Sequence, residues 1–323
     1  MMQFKWQTAV RVEPSRRPIS HADAILLMGS CFTEAMSGRL ADRSFSTVVN
    51  PLGIVYNPIS MADGLCRVLS GSPLGYQDLV FQVDLWHSWQ HHSRFSRPSR
   101  QACLDACNAA LNEAHNYLSS ATTLILTFGT AHVYEHEDYG LVANCHKVPA
   151  SQFSKRRLSV MEIVDRWRAV FALLPTSVRH VVLTVSPVRH WADGAHSDRL
   201  SKATLLLAAE QLTGATDQLL VEYFPAYELL QDELRDYRFY ADDMLHPSSQ
   251  AEEYIWNRFS ENYMTEPTRL LCDRVMQLRR LERHRPMQAD APSIGRYQAQ
   301  LAALRTEVEQ LLRDARGAGS VQD

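Results

Sequence analysis

Residues 24–34 read Ala24-Ile25-Leu26-Leu27-Met28-Gly29-Ser30-Cys31-Phe32-Thr33-Glu34. An apolar run of strand length stops at a glycine–serine pair, and a helical pattern begins at once. Such a run suits a strand buried on both faces, as in parallel sheets covered by helices. Gly29 allows a tight corner, and serine is a common helix N-cap. The same place offers free backbone N–H groups and the positive end of a helix dipole to any anion formed there. Ser30 therefore has two readings: a cap, or a nucleophile whose oxyanion finds those donors.

The pattern continues outward from this corner. Strands are expected at 24–28, 46–49, 123–128, 180–186 and 219–223. Helices are expected near 33–42, 59–69, 101–118, 160–174 and 198–212. Apolar strands alternating with amphipathic helices predict an α/β domain with a mostly parallel, five-stranded sheet. Two excursions interrupt it: 75–98, rich in aromatic residues and histidine, and 133–149, expected to hold a hairpin turning near Glu137-Asp138-Tyr139-Gly140. In the first, a helix would put His87 and His91 on one face, although the neighbouring Trp86 and Trp89 suit sugar stacking or plain packing better than a metal. After about Met264 the chain becomes a helical tail rich in Arg, Leu and Glu. There Leu271, Val275 and Leu278 form one stripe, Pro286 and Pro292 break the chain, and Tyr297, Leu301, Leu304, Val308 and Leu311 follow at 4-3-4-3 spacing. Two heptads are short for a coiled coil, so packing back onto the domain is expected, a homodimer seam being the other use of that stripe.

Composition excludes several classes of function. The 323 residues are 46% apolar and 21% charged, and 33 basic against 36 acidic residues give a net charge of −3. No basic stripe recruits nucleic acid, and no Walker or G-x-G-x-x-G motif marks a nucleotide site. No apolar run approaches the ~20 residues of a membrane span. The six cysteines lack framework spacing and no secretory h-region precedes them, so free thiols in the cytoplasm are expected. Cys103 and Cys107, one turn apart, read as packing. Neither a metal nor a cofactor is expected.

A serine nucleophile needs a base. Asp243 and His246 stand three apart in Ala241-Asp242-Asp243-Met244-Leu245-His246-Pro247-Ser248, a loop before a helix at 250–259. That spacing lets a carboxylate hold one ring nitrogen while the other faces a hydroxyl. Asn144-Cys145-His146-Lys147 and Ser186-Pro187-Val188-Arg189-His190 are expected at strand ends near the same crevice. His146, Arg189 and His190 are therefore candidate substrate contacts, Arg189 for an anionic or sugar group.

A Gly-Ser ending the first strand, with D-x-x-H before the last α/β helix, is the layout of SGNH/GDSL hydrolases. The chain resembles most closely the GSCFA branch of that superfamily, whose name motif is matched by Gly29-Ser30-Cys31-Phe32-Thr33, with Thr33 in place of alanine. VVNPLGIVYNPIS, FGTAHVYE, VANCHKVP, LTVSPVRHWADG and DDMLHPS continue the resemblance in order, over roughly residues 20–260. The resemblance implies a flavodoxin-like three-layer α/β/α sandwich over 1–263 with a helical extension at 264–323. It also implies Ser30 as nucleophile, His246 as base and Asp243 as its orienter. Superfamily enzymes build the oxyanion hole from the nucleophile's N–H, a glycine N–H after the second strand and an asparagine after the third. Ser30 and Gly53 fit the first two roles. The third loop reads Gly129-Thr130-Ala131-His132 where the superfamily carries Gly-x-Asn-Asp. Asn57, Thr130 and Asn144 are the candidates to replace the absent asparagine. The implied function is serine-dependent hydrolysis of an acylated small molecule or glycan. O-acyl transfer to a polysaccharide or its precursor, and a non-catalytic binding or assembly module, are the alternatives.

Overall fold

The computed structural model describes residues 7–284 and 291–317. Five parallel strands form the central sheet: β1 (Ala24–Gly29), β2 (Ser46–Val49), β5 (Thr123–Phe128), β9 (His180–Val185) and β11 (Leu220–Phe224). Their order is β2-β1-β5-β9-β11, the flavodoxin-like arrangement. β5 and β9 are buried along their whole length, which explains their unbroken Val, Leu and Ile runs. The sheet has six strands rather than five, because the two-residue β10 (Gly214–Ala215) pairs antiparallel with β11 at the edge. Two residues are too few to leave a periodic signal in the sequence.

Helices α2 (Pro58–Ser70), α3 (Arg100–Leu118), α4 (Val160–Phe171) and α5 (Gly194–Leu212) cover one face. Local chemistry starts and stops them. Asn57 caps α2 by accepting the Ser60 N–H, Pro58 sits in its first turn and Gly71 ends it in the left-handed region. Ser159 and Glu162 form a capping box on α4. The other face carries α1 (Cys31–Asp42) and α7 (Ser249–Tyr263), with the turn α6 (Ala226–Glu228) and a π-helical turn Leu229–Leu234 after β11. Residues 7–19 run along this side, tied by hydrogen bonds from Ser15 N to Asn262 O at 2.8 Å and from Ile19 N to Tyr263 O at 2.7 Å.

A buried ionic cluster holds that N-terminal strap. Glu222 on β11 accepts from the Ser15 hydroxyl at 2.6 Å and the Arg16 N–H at 2.9 Å, and lies 2.9 Å from His180 Nε2. Burial alone would raise its pKa, but the hydrogen bonds from His180, Arg16 and Ser15 outweigh it and bring the carboxyl down to about 2. The folded state therefore binds fewer protons than the unfolded state between about pH 2 and 4.5, and this stabilisation is lost as pH falls through that window. Glu222→Gln turns one of the two acceptor oxygens into a donor among donors, a loss of about 2 kcal/mol at neutral pH. Chemical denaturation should show that deficit shrinking between pH 6 and pH 2.5; a deficit that does not change with pH would refute the ionic reading.

The excursions form small sheets. Residues 75–98 contain the hairpin β3 (Val80–Gln82) and β4 (Leu85–His87) and two single 3₁₀ turns, with no helix over 86–92. The hairpin's turn residues Val83 and Asp84 have φ of 49° and 61°, the primed geometry that matches strand twist. His87 and His91 therefore do not share a helical face, and Trp89 is buried in a cluster with Val80, Val142 and Val148 rather than offered to a sugar. The second excursion gives the expected hairpin, β6 (His132–His136) with β7 (Gly140–Val142), and adds β8 (Phe153–Arg157) against β6.

The tail forms α8 (Glu266–Arg283) and α9 (Ala291–Gly317). Leu271, Val275 and Leu278 pack against Leu304 and Val308, and Arg279 pairs with Asp42 of α1 at 2.9 Å. Leu311 stays 39% exposed, while Leu312 joins the cluster in its place. Pro292 falls in the first turn of α9, where a missing N–H costs nothing. Pro286 lies outside the described residues. Among the described residues no helix is long and apolar enough to cross a membrane.

Candidate active site

In this strand order the direction of winding reverses between β1 and β5, and ligands of such sheets bind at the carboxyl ends beside that point. Ser30 follows β1 there. Gly29 has φ of 150°, and an added Cβ would stand 2.5 Å from Thr127 O and 2.6 Å from Thr33 Oγ1, so only glycine lets the two strand ends approach. The cap reading of Ser30 fails: its side chain makes no capping hydrogen bond to α1. Its hydroxyl instead donates to Ser186 Oγ after β9 at 3.0 Å.

A cleft of about 530 Å³ opens above this corner. Cys31, Tyr56, Asn57, Thr130 and His132 line it from the ends of the central strands, Tyr134 and Val142–Cys145 from the excursion, and Arg189, His190 and His246 from the far side. Ser30 is 1% exposed and lies beneath the lining. Asp243 Oδ2 is 2.6 Å from His246 Nδ1, and its Oδ1 accepts the Leu245 and His246 N–H groups at 2.9 Å each. Those two backbone donors, then the imidazole, hold the Asp243 carboxyl down at about 2. His246 and Ser30 are not hydrogen-bonded to each other in this arrangement.

Family comparison matches the GSCFA model across residues 24–259. The chain belongs to the GSCFA family. No curated protein matches it. Among solved structures, a carbohydrate esterase family 3 from Talaromyces cellulolyticus is similar at 9% identity and TM-score 0.35, over 74% of this chain and 95% of that one. A serine-to-alanine mutant of an acetyl esterase with an acetate ion is similar at 9% identity and TM-score 0.36, with the same coverage.

The GSCFA motifs divide sharply in where they lie. Gly53 does not face the cleft: its φ is 81°, its N–H closes a turn on Asn50 O at 2.7 Å, and an added Cβ would collide with His92 at 2.2 Å. Its glycine serves that turn. His146 also turns inward, stacking on His87 at 4.3 Å with Nε2 2.8 Å from Ser88 O, while burial lowers its pKa to about 4. Its neighbours Asn144 and Cys145 reach the cleft instead.

Asn57, Thr130 and Asn144 all line the cleft, with different donors left over. The Thr130 N–H goes to Tyr56 O at 3.0 Å, and its hydroxyl sits 3.1 Å from Ser201 Oγ. Asn144 Oδ1 accepts from His146 N at 2.8 Å. Asn57 Oδ1 accepts from Ser60 N at 2.8 Å and its amide donates once, to Ser60 Oγ at 3.0 Å. That fixes the Asn57 amide with one N–H uncommitted among the described residues, on a loop pinned to the Gly29-Ser30 corner by the Val55 N to Gly29 O bond of 3.1 Å.

His190 lines the cleft as a neutral imidazole. Burial, then the Lys202 charge, lowers its pKa to about 3, and its backbone N–H donates to Asp198 Oδ1 at 2.9 Å. Among the described residues Arg189 has no salt bridge; its guanidinium lies 3.9 Å from the centre of the Tyr240 ring. Burial raises the pKa of both cleft thiols, Cys31 and Cys145, so neither has the thiolate character a cysteine nucleophile needs. Among the described residues no group of three or more His, Cys, Asp or Glu could hold a metal ion.

Sequence reading overlooked Lys202. It is buried on α5 beneath the site and donates to Gly129 O at 2.8 Å and Ser186 O at 2.7 Å. It thereby ties the loops after β5 and β9 to each other under Ser30. The signal was in the pattern: Asp198, Ser201, Lys202 and Leu205 all fall on the buried side of one helix.

Proposed function

We infer that the cleft cleaves an acyl ester, with Ser30 as nucleophile, His246 as base and Asp243 as the group that holds the imidazole. The observation that carries this reading is the Asp243–His246 pair at 2.6 Å on the rim of the cleft that opens above Ser30. Ser30 leaves Ser186 by rotation about one bond, its proton passes to His246, and its oxygen attacks the acyl carbon. His246 then returns that proton to the leaving alcohol, and water repeats the cycle on the acyl-serine. Catalytic hydrogen bonds are often unmade without substrate and form when it binds. Asn57 takes the place of the absent asparagine, beside the N–H groups of Ser30 and the first turn of α1.

Asn57→Asp tests the donor. An aspartate still accepts from Ser60 N and caps α2, but cannot donate to an oxyanion. The expected result is a fall in kcat of about 10²-fold on acetylated model esters, with Tm within a few degrees of wild type. Unchanged kcat assigns the donor elsewhere.

Acyl transfer rests on the same residues. Tyr134 and Val142–Cys145 wall one side of the cleft, and a wall of that kind favours a sugar hydroxyl over water as acceptor when it shields the acyl-serine. Product analysis with and without a glycan acceptor separates the two outcomes.

A further inference from the structure

A second cavity, of about 350 Å³, shares Arg189 with the cleft. Three guanidinium groups line it from separate parts of the chain: Arg189 after β9, Arg199 on α5 and Arg235 at the end of the π-helical turn. Arg199 has neutral partners, the Tyr227 hydroxyl and Gln231 Oε1 at 3.0 Å. Arg189 lies on the Tyr240 ring, and its buried Nε has no partner. Among the described residues, none of the three is ion-paired to a carboxylate. Two carboxylates line the cavity, and one of them, Asp236, already faces Arg238 at 3.7 Å. Positive charge is thus in excess. The Tyr227 and Tyr240 hydroxyls accept from Arg199 and Gln231, which leaves each its own hydrogen to donate.

We propose that this cavity is an anion subsite that holds a phosphoryl group of the substrate, whose acyl ester lies in the neighbouring cleft. Three guanidinium forks arriving from different directions suit a tetrahedral oxyanion, whereas one fork satisfies a planar carboxylate. The assignment of the ester end rests on the function proposed above; the anion site does not depend on Ser30.

Calorimetric titration of inorganic phosphate into the full chain tests it, with sodium acetate as the planar anion and Ser30→Ala, Arg199→Gln and Arg235→Gln as variants. Both arginines are exposed, so the variants should fold, and thermal melts check that they do. Phosphate is expected to saturate wild type and Ser30→Ala alike, to bind each arginine variant at least tenfold more weakly, and to bind at least tenfold more tightly than acetate. Absence of saturable phosphate binding, binding indifferent to both arginine substitutions, or acetate matching phosphate overturns the proposal. Arginine-dependent phosphate binding by a chain that cleaves no ester leaves this site standing and sinks the ester reading; ester cleavage without phosphate binding does the reverse.

Discussion

Ser30→Ala is expected to lower the turnover of acetylated model esters by at least about 10³-fold while leaving Tm nearly unchanged. The size follows from what a nucleophile contributes: without it the oxyanion donors and substrate binding still act, but no acyl intermediate forms. The small stability effect follows from the one bond the Ser30 hydroxyl makes among the described residues, to another hydroxyl at 3.0 Å. Its loss is worth about 1 kcal/mol. His246→Ala should cost a comparable factor, because nucleophile and base act as a unit and removing either removes the step. The double variant should then be no slower than either single one. Additive losses, or turnover by Ser30→Ala equal to wild type, would end the serine mechanism. A fluorophosphonate probe gives an independent readout, labelling wild type and leaving Ser30→Ala unlabelled.

The parts of the chain that could be read in advance are those where one physical signal dominates. β1, β5 and β9 are continuous apolar runs because helices cover both of their faces, and they fall within a residue of their expected bounds. β8, Phe-Ser-Lys-Arg-Arg, has the exposed pattern ieeee, so no apolar alternation announces it. The stretch 86–92 was read as helix because the turn before it, Val83-Asp84, carries no glycine or asparagine to announce the β3–β4 hairpin, although both residues adopt positive φ. The hairpin's Val, Phe, Leu and Trp content favoured a strand throughout.

The candidate site divides in the same way. Ser30, Asp243 and His246 stand in motifs whose spacing has a chemical meaning. Gly53 was assigned by its place after β2, and position alone cannot tell an N–H aimed at a ligand from one closing a turn on Asn50. Lys202 escaped because a lysine in a helix is by default a solvated charge. Reading the whole face, with Asp198 and Leu205 one turn away on either side, would have placed it inside.

Lys202→Met tests what that buried charge does. Methionine roughly fills the volume but leaves Gly129 O and Ser186 O without their donor, a loss of about 3 kcal/mol at pH 7. It also frees the loops after β5 and β9, so kcat on a model ester should fall while the fluorophosphonate still labels Ser30. The pH dependence identifies the cause. Burial lowers the Lys202 pKa from 10.5 to about 8. Between those values the unfolded chain binds more protons than the folded one, so stability from this group rises with pH. Charge burial weighs most heavily below pH 8 and is relieved as pH climbs through it, and the neutral amine keeps two N–H groups for its two carbonyls. The stability gap between wild type and Lys202→Met should therefore widen by about 2 kcal/mol from pH 7 to 9.5. Asp198 and Cys31 raise that pKa and Arg199 lowers it, and their effects are already contained in the net value set mainly by burial. A gap that narrows over this range would mean that Lys202 is held as a favourable cation, and that its attraction to Asp198 outweighs its burial.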